Sequence, residues 1–261
     1  MLQQIVSLWI GDRLGLIERL SLTSFVAQGH PIALYTYGPV AGVPAGVEVR
    51  DAEAVLPRAM ADANRYSNGS YALFSNMFRM ELQRRSLGMW VDADVVCWRP
   101  ITLDGPFVAG HESDEYLNGA ILKLAPDSPM LRDWLDTAAS GRVPRWLPFH
   151  RAPRAWLRQL IGKRIAPAEL PHGTFGPKSI TALAEVHGLT AAAQPIDVFY
   201  PLRPRQAELL WDPALKLGNV VTDRTLTIHL WNEKLKPFRN VPPPAGSVMA
   251  EMMARYGVTA G

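Results

Sequence analysis

The first half of the chain alternates short apolar runs with stretches in which apolar residues recur every three or four positions. The runs at 3–10 and 31–37 predict buried strands, each followed directly by a glycine. Between these runs, helical spacing over 14–28 predicts a helix that ends at Gly29, and a further short strand is predicted at 47–50. Strands that alternate with helices are typical of an α/β domain with a mainly parallel central sheet.

The same alternation continues to the end of the chain. An apolar stripe predicts a helix over 70–87, with Ser70 placed to cap it and Gly88 to end it. The apolar run at 89–91 predicts a strand that leads into an Asp-x-Asp pair. The remaining predicted elements are strands at 106–110, 119–124, 195–199 and 225–230, helices at 129–139 and after Gly176-Pro177, and a short terminal helix.

The composition is that of a folded domain, with 48% hydrophobic and 20% charged residues in a chain of 261. A chain of this length buries roughly 70–75% of its unfolded surface, so a large core is expected. We therefore predict one domain over residues 1–240, followed by a Pro-rich segment and a helix over 241–261. The single cysteine, Cys97, excludes an intrachain disulfide and a Cys-rich zinc site, and it favours a cytoplasmic location.

The charge is unevenly distributed along the chain. Residues 142–164, called the basic segment below, hold seven of the 27 Lys and Arg residues and no acidic residue. The rest of the chain therefore carries 20 basic residues against 24 acidic ones. Within the basic segment, Trp156, Leu157, Leu160 and Ile161 fit one face of a helix. The pattern predicts a basic helical insertion in the domain.

Three interpretations of the basic segment are open. A basic amphipathic helix with aromatic residues suits an anionic membrane surface, where each basic residue adds about 1 kcal/mol. This would place the protein peripherally at the inner face of the plasma membrane, since no run approaches the roughly 20 apolar residues needed to span a bilayer. Nucleic acid is not expected as a partner, because no nucleic-acid-binding motif is present and the remaining chain is acidic. The third interpretation is a solvated insertion whose Trp side chains pack inward.

Asp92 and Asp94 follow the predicted strand at 89–91 and are the first candidates for chemistry. In open α/β sheets, ligands bind beyond the carboxyl ends of the strands. Two carboxylates that emerge there repel each other unless a cation or the solvent compensates their charge. Oxygen ligands suit Mg²⁺ or Mn²⁺, which also bind substrate phosphates. Two solvated aspartates are the alternative for this pair.

The run from Phe74 to Arg79 and the run from Gly88 to Asp94 resemble the glycosyltransferases with a DXD sugar-binding region, of the family 32 type. That family includes bacterial capsule and lipopolysaccharide sugar transferases, and the glucosylating clostridial toxins are distantly similar. Three further segments match these relatives in the same order along the chain. These segments are Trp9-Ile10-Gly11, the predicted strand that contains Asn118, and His229-Leu230-Trp231. The resemblance spans roughly residues 5–232.

The resemblance implies a single GT-A (Rossmann-like) domain that transfers a sugar, with retention, from a nucleotide-diphosphate donor. It favours a UDP-sugar as donor and a cell-surface glycan or lipid-linked saccharide as acceptor. It further implies that Mn²⁺ or Mg²⁺ is held by Asp92, Asp94 and His229, and that Arg79 acts in catalysis with the two aspartates. The donor-binding residues that it implies are Trp9, Ile10, Gly11, Asn76, Arg79, Asp92, Asn118, Trp231 and Lys234.

Other roles remain open for several of these side chains. Trp9, which is expected to stack on the nucleobase, is equally compatible with a core position. Arg79 offers a planar fork of donors to a sugar or phosphate, but an exposed helix charge is the alternative. A structural role is the alternative for His229, and a solvated side chain is the alternative for Lys234.

Asn76 departs from the pattern, because relatives usually carry Asp at the matching position, and an amide side chain has no charge. This departure suggests one alternative function, a non-catalytic relative that binds a glycan or a membrane. A second alternative is a phosphatase of the haloacid dehalogenase type, which also places Asp-x-Asp after a buried strand. Such a phosphatase needs a later acidic pair, and no two acidic residues are adjacent after residue 115.

Overall fold

The computed structural model describes residues 2–66, 68–239 and 241–259. Residues 260–261 of the predicted C-terminal segment and residue 240 at its boundary lie outside these ranges. The strands are β1 (Ile5–Leu8), β2 (Ile32–Thr36), β3 (Val47–Asp51), β4 (Met89–Val91), β5 (Val95–Cys97), β6 (Phe107–His111), β7 (Leu117–Leu124) and β8 (Thr227–His229). The α-helices are α1 (Leu16–Ala27), α2 (Arg58–Ala63), α3 (Ala72–Arg84), α4 (Pro129–Ser140), α5 (Pro153–Leu160), α6 (Pro177–Val186), α7 (Ile196–Phe199) and α8 (Val248–Tyr256).

Six strands form the central sheet in the order β3-β2-β1-β4-β7-β6. The first four run parallel, with Ile5 of β1 opposite Ile32 of β2 on one side and Met89 of β4 on the other. β7 is antiparallel to both β4 and β6, so β6 has the same direction as β4. The predicted α/β class with a mainly parallel sheet is therefore confirmed.

Side chains of β1 point alternately to the two faces of the sheet, as the pleat of a strand requires. Val6 faces a core cluster that includes Phe78 of α3 and Trp134 of α4. Ile5 faces a second cluster that includes Phe25 of α1. Burying each of these large side chains contributes roughly 1.5–3 kcal/mol. Helices therefore cover both faces of the sheet, which explains why its strands read as uninterrupted apolar runs.

A separate two-stranded ladder joins β5 to β8, with Val95 opposite His229. Behind this ladder, Ile228 of β8 lies in a third core cluster with Leu20 of α1 and Met249 of α8. The C-terminal helix thus shares a core with the first helix. The predicted division of the chain at residue 240 stays a prediction.

Three elements differ from the pattern-based expectations, and the first is β5, a strand that was not predicted. The strand predicted at 195–199 is wrong, because residues Ile196–Phe199 form a single helical turn after Pro195. A short apolar run does not distinguish a strand from a buried helical turn, since an unbroken run shows neither the period of a strand nor that of a helix. α2 was not predicted, because Ala61 is its only buried residue and it therefore has no apolar stripe.

The two Trp residues of the basic segment turn toward the protein interior. Trp146 donates from Nε1 to the backbone oxygen of Thr174 at 2.8 Å, and Trp156 donates to that of Leu147 at 3.0 Å. Both rings pack against the large core cluster. Trp156 and Leu160 lie one helical turn apart on α5, yet the indole turns inward to its acceptor while Leu157 and Leu160 stay exposed.

The basic segment also exposes several large apolar side chains. Phe149, Leu157, Leu160 and Ile161 are 54%, 55%, 76% and 72% exposed. The predicted basic helical insertion is confirmed as α5, but its apolar surface is a mixture of a buried Trp side and an exposed aliphatic side. Among the residues that the structure describes, no helix is both long and apolar enough to cross a membrane.

Candidate active site

The candidate site lies where β4 ends. The backbone N–H of Asp92 continues the ladder to β7 by donating to Ala120 at 2.8 Å, and the chain then turns into β5. β8 pairs with β5, and the N–H of Leu230 donates to the backbone oxygen of Asp94 at 2.9 Å. This pairing carries His229 from a point more than 130 residues further along the chain to the two aspartates. One ligand atom from each of Asp92, Asp94 and His229 then lies within 4.8 Å of the others.

Arg79 fixes the carboxylate of Asp92. Its Nη2 donates to Oδ1 of Asp92 at 2.8 Å, and Nε1 of Trp90 donates to the same oxygen at 2.6 Å. The guanidinium also donates from Nη1 to the backbone oxygen of Gly119 and lies 4.9 Å from the centre of the Trp90 ring. The Arg79 side chain is only 8% exposed, so the alternative of an exposed helix charge is wrong. Two donors to Oδ1 leave Oδ2 of Asp92 available to another ligand.

Asp94 and His229 form a second buried pair. Nε2 of His229 lies 3.2 Å from Oδ1 of Asp94, and the backbone N–H of Asn232 donates to Oδ2 at 2.9 Å. Burial opposes the charged form of both groups, but their mutual attraction outweighs it. It holds the pKa of Asp94 below its usual value and the pKa of His229 above its own. The backbone N–H of Asn232 thus holds the Asp94 carboxylate in position beside the His229 ring.

The donor set of the site suits a divalent cation. Nδ1 of His229 is buried and has no hydrogen-bond partner among the residues that the structure describes. A buried polar atom without a partner is costly, and a ligand that satisfies it removes that cost. Two carboxylates and one imidazole are a donor set that Mn²⁺ accepts, since that ion tolerates nitrogen among oxygen ligands. The residues therefore fit a divalent metal ion.

A second group of polar residues lies behind these side chains. The Asn232 amide donates to Oε1 of Glu18 at 2.6 Å, which links α1 to the residue that anchors Asp94. Burial and the nearby charge of Asp94 raise the pKa of Glu18. The sequence pattern did not identify Glu18 or Asn232, because neither lies in an unusual motif and they meet only in the folded chain.

Asn118 lies on β7 and is buried. It donates from Nδ2 to Glu112, and its Oδ1 accepts the backbone N–H of Ala120 at 2.7 Å. Burial raises the pKa of Glu112, and the bond from Asn118 lowers it in part. Tyr200 donates to the backbone oxygen of Asn118 at 3.4 Å. The predicted contact of Asn118 with a donor sugar stays a prediction, and its observed contacts fix the loop that carries Glu112.

Trp9 and Ile10 line a cleft of about 570 Å³ beside this end of the sheet. Ser75 of α3 and Lys236 contribute other parts of its wall. Trp9 is half-buried and donates from Nε1 to the backbone oxygen of Arg13 at 3.1 Å. A Cβ on residue 11 would lie 3.0 Å from that nitrogen, so Gly11 lets the indole lie against the turn. The ring therefore packs against a core cluster on one side and forms part of the wall of the cleft on the other.

The other predicted donor-binding residues occupy different surroundings. Trp231 has a φ of 57°, a left-handed conformation that is strained for a bulky residue, and its ring centre lies 3.8 Å from that of His229. Asn76 is half-buried beside Gly176, one helical turn before Arg79. Lys234 is exposed in the loop after His229. The structure thus brings Arg79 and Trp231 to the acidic group, and it leaves Lys234 at the surface.

Comparison with known proteins gives limited similarity. No family model matches the chain, and no curated protein matches it. Among solved structures, the chain is similar to one described as PaToxG Glycosyltransferase, with 13% sequence identity and a TM-score of 0.47. The similar part covers 74% of this chain and 72% of that one. The function proposed below is supported by the side chains described above.

Proposed function

We propose that the protein is a metal-dependent, retaining glycosyltransferase of the GT-A type. It moves a hexose from a nucleotide-diphosphate sugar, with a UDP-sugar favoured, to a cell-surface glycan acceptor. The observation that carries the proposal is the group of Asp92, Asp94 and His229 at the carboxyl end of a parallel sheet. The cleft that Trp9 lines lies at the same end, because Trp9 follows β1 and β1 is the neighbour of β4.

The cleft offers a place for each part of the donor. The face of the Trp9 indole is a large flat surface on which a nucleobase stacks. The diphosphate then lies toward the acidic group, where Asp92, Asp94 and His229 would hold Mn²⁺ or Mg²⁺, and the bound ion would supply positive charge to stabilise the leaving diphosphate. Arg79 keeps the carboxylate of Asp92 in one orientation, so it acts as a positioning residue for this group.

The transfer breaks the bond between the anomeric carbon of the sugar and the diphosphate oxygen. A new bond forms between that carbon and a hydroxyl oxygen of the acceptor. The electron pair of the broken bond leaves with the nucleoside diphosphate, which takes up the proton of the acceptor hydroxyl directly or through water. Residues of the chain bind and orient the reactants.

A donor screen tests the proposal. UDP- and GDP-sugars are incubated with the protein in Mn²⁺ or in EDTA, and release of nucleoside diphosphate is followed. We expect release from a UDP-sugar in Mn²⁺ and its loss in EDTA. Release of inorganic phosphate from phosphomonoesters would instead show the phosphatase alternative, and donor or glycan binding without any release would show a non-catalytic binding protein.

We also propose that the basic segment holds the protein peripherally at an anionic membrane surface, in the cytoplasm. The exposed side chains Leu160 and Ile161 supply apolar area, and basic residues surround them. Vesicles with and without anionic lipid test this, and we expect binding to the anionic ones that weakens as salt is added. The double change Leu160→Ser and Ile161→Ser weakens binding, whereas Val186→Ser, at a 56% exposed residue of α6, leaves it unchanged.

A further inference from the structure

A cavity of about 640 Å³ lies beside the first turn of α5, and no role has been assigned to it above. Its floor is fixed by Ala152, Ala155 and Leu170, which are buried in the large core cluster. Its rim carries the aromatic rings of Tyr66 and His172, whose centres are 4.7 Å apart. The cavity thus has a base of buried core residues and a rim that carries polar and aromatic side chains.

The charged residues of the cavity are unequally engaged. Glu169, its one acidic lining residue, is bonded through Oε2 to Arg158 and through Oε1 to the backbone N–H of Ala166 at 2.9 Å. Arg151 and Arg154 also line the cavity, and neither has a carboxylate partner among the described residues. Guanidinium groups of this kind bind phosphate through two parallel hydrogen bonds. The cavity therefore has the charge of a site for an anion.

The cavity lies next to the cleft that Trp9 lines. Asn68 and His172 form part of the wall of both. These two side chains therefore border both spaces. Aromatic rings and an amide are side chains on which a sugar ring packs and forms hydrogen bonds. The position suits the second substrate of a transfer reaction, because the first substrate occupies the cleft.

We propose that this cavity is the acceptor site and that its ligand is a saccharide that carries a phosphate group. The phosphate lies between Arg151 and Arg154, and a hydroxyl of the sugar extends past His172 toward the cleft. The acceptor role of this ligand rests on the proposed transferase function. The binding of a sugar phosphate in the cavity does not, because it can be measured without turnover. The phosphate belongs either to a soluble sugar phosphate or to a lipid-linked saccharide, and the two are separated below.

Binding is measured first, by titration of glucose 1-phosphate and of glucose into the full chain without any donor. We expect the phosphate ester to bind and neutral glucose not to bind detectably. The double change Arg151→Gln and Arg154→Gln weakens binding of the ester by about 100-fold, about tenfold for each charge-assisted contact. The matched control Arg132→Gln, at an exposed residue of α4, leaves binding unchanged. Equal binding to the double variant and the wild type overturns the proposal.

The lipid-borne source is tested with a polyprenyl-linked glycosyl phosphate in neutral vesicles. Loss of binding in the double variant with this probe supports the site with a lipid-linked ligand, even where the soluble ester binds weakly. Failure of both probes to bind the wild-type protein overturns the proposal. Because Arg151 and Arg154 are exposed, the double variant is expected to keep the melting temperature of the wild type.

Turnover separates this proposal from the proposed function. Donor hydrolysis in the absence of acceptor should be equal in the wild type and in the double variant, whereas transfer to the phosphorylated acceptor should fall with binding. If no donor is turned over by any form, the transferase function fails, while the binding titration still decides whether the cavity is a sugar phosphate site.

Discussion

The acidic group at the end of β4 and the basic segment differ in how far their charged side chains are buried and paired. At the acidic group, Arg79 and His229 are less than a tenth exposed, and each carboxylate is held by named donors. In the basic segment, Leu160 is 76% exposed, and Arg151 and Arg154 have no carboxylate partner among the described residues. The first region has its charges fixed by the fold, whereas the second pairs Arg158 with Glu169 but leaves Arg151 and Arg154 available to solvent.

This difference separates the charged groups that are part of the folded structure from those that are free to bind a ligand. Burying an ion is costly unless a partner and hydrogen bonds compensate it, so the buried group is organised before any ligand arrives. Exposed charges cost little and stabilise little, so their accumulation in one segment points to a binding surface. Substitutions in the acidic group should therefore change activity and stability. Substitutions of exposed residues in the basic segment should change binding.

The largest expected effect follows from replacing one carboxylate of the acidic group. Asp94→Asn keeps an oxygen that accepts the N–H of Asn232 but removes the charge that pairs with His229 and with a cation. We expect metal-dependent diphosphate release to fall by about 1000-fold, which is ~4 kcal/mol of transition-state stabilisation. Initial rates with a UDP-sugar and Mn²⁺ measure this. Asp127→Asn, at an exposed aspartate, is the control and should keep the wild-type rate; a wild-type rate in Asp94→Asn would refute the assigned metal site.

The two sides of the basic segment provide the next comparison. Leu147 is fully buried, so Leu147→Ala is expected to lower the free energy of unfolding by about 2–5 kcal/mol. Leu160→Ala, at a side chain that is 76% exposed, should change it by less than about 0.5 kcal/mol. Urea unfolding measures both. Equal losses would mean that the exposed side packs against something in solution, and the membrane proposal would then lose its apolar surface.

How far the sequence predicts the molecule differs between the same two regions. The apolar runs identify β1, β2 and β4, because strands buried on both faces leave an uninterrupted signal. The resemblance places Asp92, Asp94 and His229, and the structure brings them together. The links to Glu18 and Asn232 could not be predicted, because a hydrogen bond between residues 214 positions apart leaves no local pattern.

In the basic segment the sequence predicts the charge and the helix, but it does not predict which side chains of the helix face the core. Trp156 and Leu157 are neighbours in sequence with opposite environments, and helical spacing alone does not say which of them faces the core. The inward position of Trp156 depends on an acceptor, the backbone oxygen of Leu147, that only the folded chain provides. Side-chain N–H groups that need a partner thus decide orientations that hydrophobicity leaves open.

A smaller effect is expected from the ion pair that fixes Asp92. Asp92→Ala leaves the guanidinium of Arg79 buried with the Gly119 oxygen and the Trp90 ring as its remaining contacts. Loss of a fully buried partner costs about 3–5 kcal/mol, and because the Asp92 side chain is 27% exposed we expect about 2 kcal/mol. Asp92→Asn retains an oxygen for Arg79 and is expected to lose less than half as much. Urea unfolding of both variants measures these losses, and equal losses would show that the charge of Asp92, and not its shape or hydrogen bond, stabilises the pair.

The smallest expected effect concerns Glu18, and here the substitution is expected to stabilise the protein and not to destabilise it. Burial and the charge of Asp94 raise its pKa in the folded protein, so ionising Glu18 is harder in the folded than in the unfolded chain. The folded state is therefore relatively favoured below the unfolded pKa of about 4.3, and this advantage is lost as pH rises through the folded pKa. Glu18→Gln removes the ionisation and keeps an oxygen for Asn232, so at pH 7 we expect a melting temperature about 2–4 °C above the wild type, and no difference near pH 4. Glu48→Gln, at an exposed carboxylate bonded to Arg50, should give no such rise; a lower melting temperature of Glu18→Gln at pH 7 would show that the ionised carboxylate stabilises the site through Asn232.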